Sequence, residues 1–264
     1  MTVCPSLLDF GAAVLTEADP WAKAQLTFAA ARAYAQGGLP LGAARPPDRP
    51  GRPERPLLLS PRAMPKRKAA TSEGRIALLH ALAHIELNAI DLAWDLICRF
   101  GGAASGLPSA FHADWLSVAA DEAKHFSLLS RRLQSLGASY GDHPAHDGLW
   151  AAADRTRHDL LARLAIVPLI HEARGLDVTP GIMTRLREAG DLRSARILKL
   201  IAREEIRHVR AGRVWFEHCA ARSGFNPQEI FPVLVKTYYG GTPKPPFNQA
   251  AREAAGLAEF FVRY

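Results

Sequence analysis

The chain has 264 residues, 48% of them hydrophobic, so it is long enough to bury a sizeable core of its own. Its three cysteines, Cys4, Cys98 and Cys219, are far apart and odd in number, which excludes a disulfide framework and a paired-cysteine metal or redox site. The N-terminus lacks a basic segment followed by an apolar stretch, and no apolar run approaches the roughly 18 residues of a membrane span. We therefore expect a cytoplasmic protein that is not embedded in a membrane.

The net charge of +7 is concentrated near the N-terminus. Residues 1–72 hold 10 Lys and Arg against 5 Asp and Glu, a surplus of five, whereas the remaining residues hold 23 against 21. Much of this surplus lies in the proline-rich stretch 40–68, where the prolines forbid a continuous helix. The stretch is interpreted either as an arm for nucleic-acid phosphates and acidic partners or as a connector laid over the protein surface, and we favour the connector.

Helical patterns dominate the chain, because β-branched runs are scarce and apolar residues do not alternate with polar ones. The first predicted helix starts at Asp19-Pro20 and ends before Gly37-Gly38, near residues 20–36. Four long helices are predicted at about 72–100, 109–136, 158–176 and 191–223. We expect a kink at Pro168, a short helix in 146–156, another from Thr179 to Gly190, and a helical turn or two plus a tail in 226–264.

The fold class is therefore all-α, with the four long helices forming one bundle. An N-terminal helix and the basic connector occupy residues 1–71, the bundle occupies 72–223, and a C-terminal extension of the same domain occupies 224–264.

The fourth long helix contains two adjacent glutamates, Glu204 and Glu205, ahead of His208. Residues three or four apart share a helix face, so spacing alone leaves both glutamates open as partners of the histidine. The apolar stripe through Leu198 and Ile201 favours Glu205 and His208 as inward residues and places Glu204 on the outer side. Ionisable groups that face a core are costly to bury unless a cation compensates them.

The same Glu-x-x-His pattern recurs once, as Glu122 and His125 on the second long helix. A further glutamate precedes each pair, Glu86 by 36 residues on the first helix and Glu172 by 33 residues on the third. The chain thus repeats one pattern in two halves. One glutamate from each of two helices plus Glu-x-x-His from each of the other two is the ligand set of di-iron and di-manganese carboxylate bundles.

With these motifs the chain resembles the ferritin-like superfamily over residues 72–223. The resemblance implies a four-helix bundle in which Glu86, Glu122, His125, Glu172, Glu205 and His208 bind two metal ions. The stretches HALAHIELNAIDLAWD, DEAKHFSLL, HEARGLDVTPG and REEIRHVRAG are also similar to a bacterial ferritin-like family of unknown function. The resemblance also implies a distant relationship of that family to the non-haem di-iron hydroxylase that modifies tRNA.

Carboxylate oxygens with two imidazoles suit iron first and manganese second, whereas zinc favours fewer ligands and often thiolates. We therefore expect two iron ions that activate O2 in an oxygenase or hydroxylase, acting on a small organic or tRNA-linked substrate with an electron donor protein. The alternatives are iron storage, peroxide detoxification and a dimanganese catalase; a nucleic-acid-binding module without catalysis ranks last. We expect a monomer or dimer, since the long prefix and suffix are awkward for a ferritin shell.

His80 and His84 are four residues apart on the first long helix, a spacing that can bind metal by itself. Because their face diverges from that of Glu86, a polar contact between helices is favoured over an extra ligand. Asp91, Asp95 and Asp121 are candidates to orient the ligand histidines. The other histidines are interpreted as structural: His143, His146, His158, His171 and His218.

Overall fold

A computed structural model gives the fold and describes residues 5–65 and 69–257. Cys4 and the basic cluster at 66–68, which ends the connector, lie outside the described residues, as do the last seven residues of the C-terminal extension. The helices are α1 Leu7–Thr16, α2 Pro20–Ala35, α3 Ser72–Phe100, α4 Ser109–Gln134, α5 Gly148–Arg155, α6 Leu160–Ile166, α7 Ala173–Glu188, α8 Leu192–Arg222, α9 Pro227–Leu234 and α10 Gln249–Ala254.

This architecture confirms the all-α prediction, since the described part of the chain has no β-strand and one isolated bridge, between Leu58 and Ala145. The contacts divide the chain into two compact units. The first unit comprises Met1–Arg67 and Ile76–Asp147, and the second comprises Lys68–Arg75 and Gly148–Tyr264. The four-helix bundle of the sequence analysis, and its domain boundaries, stay predictions.

Local capping explains where several helices begin. The Asp19 side chain accepts from the Ala22 amide at the start of α2, and the Asp191 side chain accepts from the Ser194 amide at the start of α8. Both starts agree with the sequence prediction. Helix α1 was not predicted, although Ser6 and Asp9 form a reciprocal capping box there.

The predicted end of the third long helix near Leu176 is wrong, and so is the predicted start of a separate short helix at Thr179. The chain stays helical from α6 through a π-helical segment, Val167–Glu172, into α7. Pro180 lies inside α7, and a proline there cannot donate to the Leu176 carbonyl. The side-chain amide of Asn248 donates to that carbonyl instead, at 3.1 Å, so a residue distant in sequence supplies the missing hydrogen bond. The predicted irregularity at Pro168 takes the form of the π-helical segment.

The first unit is built around α3. Helix α2 packs against α1 and α4, and Trp94 of α3 donates through Nε1 to Thr27 Oγ1 of α2 at 3.0 Å. Large apolar side chains fill this core, including Trp94, Trp115, Phe111 and Phe126. Their burial places α3 and α4 in the centre of the unit.

The basic connector is tied to the first unit along its described length. The Gly51 amide donates to the Leu15 carbonyl at 2.6 Å, and the Leu59 amide donates to the Ala145 carbonyl at 2.8 Å. Arg52 of the connector binds Asp91 Oδ2 of α3 at 2.5 Å, and the buried Lys23 ammonium binds the other oxygen of this carboxylate. The connector is therefore a packed part of the first unit.

The second unit is built around α8, against which α6 and α7 pack. The C-terminal segment is fixed to α7 by Arg252, whose guanidinium donates to both oxygens of the buried Asp177 carboxylate at 2.8 and 2.7 Å. Such two-point pairs are geometrically specific. They anchor α10 to α7.

Helix α3 is long and apolar enough to cross a membrane by length and composition. The same test is passed by core helices of soluble proteins, and 67% of the relevant window of α3 is buried within the protein. By itself this helix is weak evidence for a membrane span.

Candidate metal centre

In the first unit, α3 and α4 bring three predicted ligands together. His125 Nδ1 lies 3.2 Å from Glu86 Oε2 and 3.6 Å from Glu122 Oε2. One ligand atom from each of the three residues lies within 4.8 Å of the others, and all three side chains are buried. The arrangement follows from the sequence, because Glu122 and His125 are three residues apart on α4 and share one face. We call this set the first half-site.

The electrostatics of the first half-site favour a cation. Burial disfavours the charged imidazole, but hydrogen bonds to Glu122 and Glu86, and the charges of these carboxylates, raise the pKa of His125 to about 11. The carboxylates therefore attract positive charge to this position. A metal ion supplies such charge, and its binding at Nδ1 would release the His125 proton.

In the second unit, α8 pairs Glu205 with His208. His208 Nδ1 lies 3.4 Å from Glu205 Oε1, and the two side chains are 1% and 12% exposed. Glu172 is half-buried at the end of the π-helical segment, with its Oε2 atom shielded from solvent. The pair on α8, together with Glu172, which the sequence pattern groups with it, is called the second half-site.

The prediction that Glu204 lies on the outer side of α8 is wrong, because the residue is buried and only 8% exposed. Glu204 precedes His208 by four residues, and Glu205 precedes it by three. Residues at either separation share a helix face. Glu204 therefore adds a further buried carboxylate to this region of α8. The spacing left both glutamates open as partners of His208, and the packing around α8 decided that Glu204 is buried.

The π-helical segment that carries Glu172 packs closely on α8 at Gly212. A Cβ atom at position 212 would lie 2.4 Å from Pro168 Cβ and 2.6 Å from Pro168 Cγ, so only glycine fits here without movement. Segments with π geometry often occur at functional sites, where they change the direction of a side chain relative to the regular helix. Gly212 and Pro168 thus position the segment that ends at Glu172.

His80 and His84 belong to a second buried polar cluster of the first unit. His84 Nδ1 lies 2.8 Å from the Tyr140 hydroxyl, and His80 Nε2 accepts from the Gly141 amide at 2.9 Å. Burial lowers the pKa of His84 to about 3, and the charge of Arg52 adds to this effect, so the ring is neutral. These contacts join α3 to the loop that follows α4.

The acidic residues considered as partners of the ligand histidines bind cations in the structure. Asp91 binds Lys23 and Arg52, and Asp95 Oδ1 binds Arg99 at 2.7 Å. Asp121 Oδ1 binds Lys124 at 2.6 Å.

His171 packs its ring against Tyr239, with 5.8 Å between the ring centres. Burial lowers the pKa of His171 to about 4, which keeps the ring neutral. His146 contributes its backbone carbonyl, 3.3 Å from His84 Nε2. His143 packs edge-on against His80, and His218 against Trp215.

Comparison with known proteins identifies the family. No solved structure matches the chain. A protein of Haemophilus influenzae described as "Uncharacterized protein" is 43% identical over 210 residues, which cover 78% of this chain and 73% of that protein. The family model described as "Protein of unknown function (DUF455)" matches residues 16–263. Because this match spans nearly the whole sequence, the chain belongs to the DUF455 family.

Proposed function

We propose that this protein is a non-haem di-metal carboxylate enzyme in which each half-site supplies the ligands of one metal ion. The observation that carries the proposal is the buried grouping of Glu86, Glu122 and His125, together with the equivalent Glu205 and His208 pair on α8. The proposed fold of residues 72–223 is the ferritin-like bundle, in which this ligand pattern is found.

The donor chemistry fits iron, with manganese as the alternative. Carboxylate oxygens are hard ligands and imidazole suits iron, and the described part of the half-sites contains no thiolate. Buried carboxylates without compensation are costly, so the half-sites have a physical reason to bind cations. Two iron ions, when bound, would supply the electrons for reductive activation of O2.

The residues of the chain would bind, orient and shield the reacting groups. Glu86 and Glu122 would hold their ion from two helices, which fixes its position relative to both backbones. His125 would bind as the neutral imidazole after it loses its Nδ1 proton. The surrounding apolar core, including Phe126, would limit access of water.

The proposed reaction is hydroxylation or oxygenation of an organic or tRNA-linked substrate, with electrons from a donor protein. The tRNA version rests on the resemblance to the tRNA-modifying hydroxylase. Comparison of modified nucleosides in a deletion strain and its parent tests it, since an unchanged profile would remove tRNA as the substrate and leave a small metabolite.

Metal analysis tests the centre directly. The full chain is produced with iron and purified anaerobically, and its metal content is measured by mass spectrometry. It should carry two metal ions per chain. His125→Ala should lose the ion of the first half-site, and His208→Ala the ion of the second. Glu217→Gln, which changes a partly exposed carboxylate of α8 that pairs with Arg213, is the matched control and should keep both ions. Full metal content in both histidine variants, with native circular dichroism, would refute the proposal.

Catalysis and storage are separated by two further measurements. Light scattering should give a monomer or dimer, whereas a large hollow assembly would indicate iron storage. The metal of protein purified from its native host should be iron, and manganese with rapid decomposition of hydrogen peroxide would indicate a catalase.

A further inference from the structure

The exposed side of α8 is almost entirely basic from residue 192 to residue 210. Between residues 192 and 210 the exposed positions are Leu192, Arg193, Arg196, Lys199, Arg203, Arg207 and Arg210, so six of the seven are cations. The two carboxylates in the same range, Glu204 and Glu205, are turned away from this side, because Glu204 is buried and the Glu205 side chain is 12% exposed. The sequence composition places the surplus of positive charge near the N-terminus, because the residues after 72 hold 23 Lys and Arg against 21 Asp and Glu.

Five of these cations form one straight row. Residues 196, 199, 203, 207 and 210 follow spacings of three and four, which keeps them within an arc of about 80° on the helix. We call them the basic row. From the first to the last it extends about 21 Å along α8 at 1.5 Å per residue. Arg210 also donates to the Ala254 carbonyl of α10, at 2.5 Å, which fixes the end of the row.

A groove extends the basic row toward α7. It measures about 310 Å³ and is lined by Arg187 of α7 together with Leu192, Ala195, Arg196 and Lys199 of α8. Three of the five lining residues are cations. The positive surface is therefore wider than one helix.

We propose that the basic row is a binding surface for the phosphate backbone of a nucleic acid. Arginine provides four of the five cations, and its planar guanidinium donates to two phosphate oxygens at once, whereas lysine acts as a point charge. Along one strand of a duplex successive phosphates are about 3.4 Å apart on the axis, so a row of 21 Å faces about six of them. Among residues 192–210 of α8, no exposed position carries a carboxylate, so no negative charge there repels such a partner.

An anionic membrane surface is the competing partner for a basic helix, and the structure disfavours it. Membrane-surface helices insert an apolar face beside their cations. The apolar face of α8 is buried inside the second unit, with Leu198, Ile201 and Val209 all at most 4% exposed. Leu192 and Val214 are the exposed large apolar residues of α8, one beyond each end of the row, and two separated side chains do not form an apolar face.

Fluorescence anisotropy with labelled 20-nucleotide RNA and DNA tests the surface. The full chain should bind both, with an affinity that falls steeply between 50 and 200 mM salt, because phosphate contacts release counterions. The triple variant Arg196→Ala, Lys199→Ala, Arg203→Ala should bind at least about tenfold more weakly. Its slope of log affinity against log salt should be smaller by about 2 to 3, at about 0.7 to 0.9 per lost contact.

The matched control removes three exposed arginines from the connector: Arg45→Ala, Arg55→Ala and Arg62→Ala. Its affinity should stay within about twofold of the unmodified chain, since the loss of net charge is the same but the row is intact. Both variants should keep native circular dichroism and melting temperature. An equal loss in both variants would refute a specific surface, and so would a row variant that loses binding to anionic vesicles but not to RNA or DNA.

Binding through the basic row does not require the metal centre. The protein treated with a chelator and the iron-loaded protein should therefore bind the oligonucleotides equally. Failure of the metal proposal and failure of this inference are thus separately observable.

Discussion

At the scale of single residues, the buried Tyr140 hydroxyl predicts an alkaline limit to stability. Burial raises the pKa of Tyr140 above its ordinary value of about 10. The unfolded chain then loses this proton near pH 10 while the folded chain retains it. The associated stability is present below pH 10 and is lost as the pH rises above it.

Tyr140→Phe should remove this dependence and also the hydrogen bond to His84. We expect a loss of about 1 to 2 kcal/mol at pH 8, because a buried ring nitrogen loses its partner. Between pH 9.5 and 11 the free energy of unfolding should fall less steeply than in the unmodified chain. Urea unfolding across this range measures both effects. Tyr34→Phe, which removes a hydroxyl that lies in an exposed contact, is the control for the loss of a phenol.

The pair Glu204 and Glu205 shows the limit of prediction for single side chains. The Glu-x-x-His spacing identified Glu205 and His208 as neighbours, and their 3.4 Å separation confirms it. The same geometry allows Glu204, four residues before His208, to be buried. The apolar stripe of a helix does not define how much of the helix surface is buried, because the neighbouring elements that pack on it set that width.

At the scale of secondary structure, Gly212 of α8 sets how closely the π-helical segment approaches. Gly212→Ala should lower the free energy of unfolding by about 1 to 3 kcal/mol, since the new methyl group would overlap Pro168. It should also weaken metal binding at the second half-site, because Glu172 ends that segment. Chemical unfolding and metal analysis measure the two effects.

Gly181→Ala is the control for this substitution. Gly181 lies in α7 with no atom within 4 Å of an added Cβ, so alanine there should stabilise the protein by about 0.5 to 1 kcal/mol. A Gly212→Ala protein as stable as the unmodified chain would contradict the packing argument.

The starts of α2 and α8 were predicted from local capping signals, whereas the continuity of α7 was not predicted. Asp19 and Asp191 cap α2 and α8 through residues three positions away, so the signal is local in the sequence. The continuation of α7 past Pro180 depends on Asn248, which is 72 residues from the carbonyl that it satisfies. No local pattern around Pro180 contains that partner.

At the scale of the first unit as a whole, Asp91 joins three distant segments. Its carboxylate is fully buried and binds Lys23 of α2 and Arg52 of the connector. Asp91→Asn should lower the free energy of unfolding by about 3 to 5 kcal/mol, because it leaves the buried Lys23 ammonium uncompensated. Thermal and urea unfolding measure this loss.

The exposed pair Arg213 and Glu217 provides the comparison. Glu217→Gln should cost no more than about 1 kcal/mol, since partly exposed pairs contribute little. Equal effects of the two substitutions would show that burial of the Asp91 cluster does not dominate its energetics. Increased tryptic cleavage within 40–65 in Asp91→Asn would further show that the cluster holds the connector in place.

The sequence by itself determined the all-α class, the starts of the main helices and the Glu-x-x-His pairs. Each of these depends on residues within one or two helical turns of each other. The tertiary structure decided that Glu204 is buried, that α7 continues through Pro180 and that the basic connector is held by Asp91. It also decided that five cations of α8 form one exposed row. These features depend on partners far apart in the chain, which local spacing does not specify.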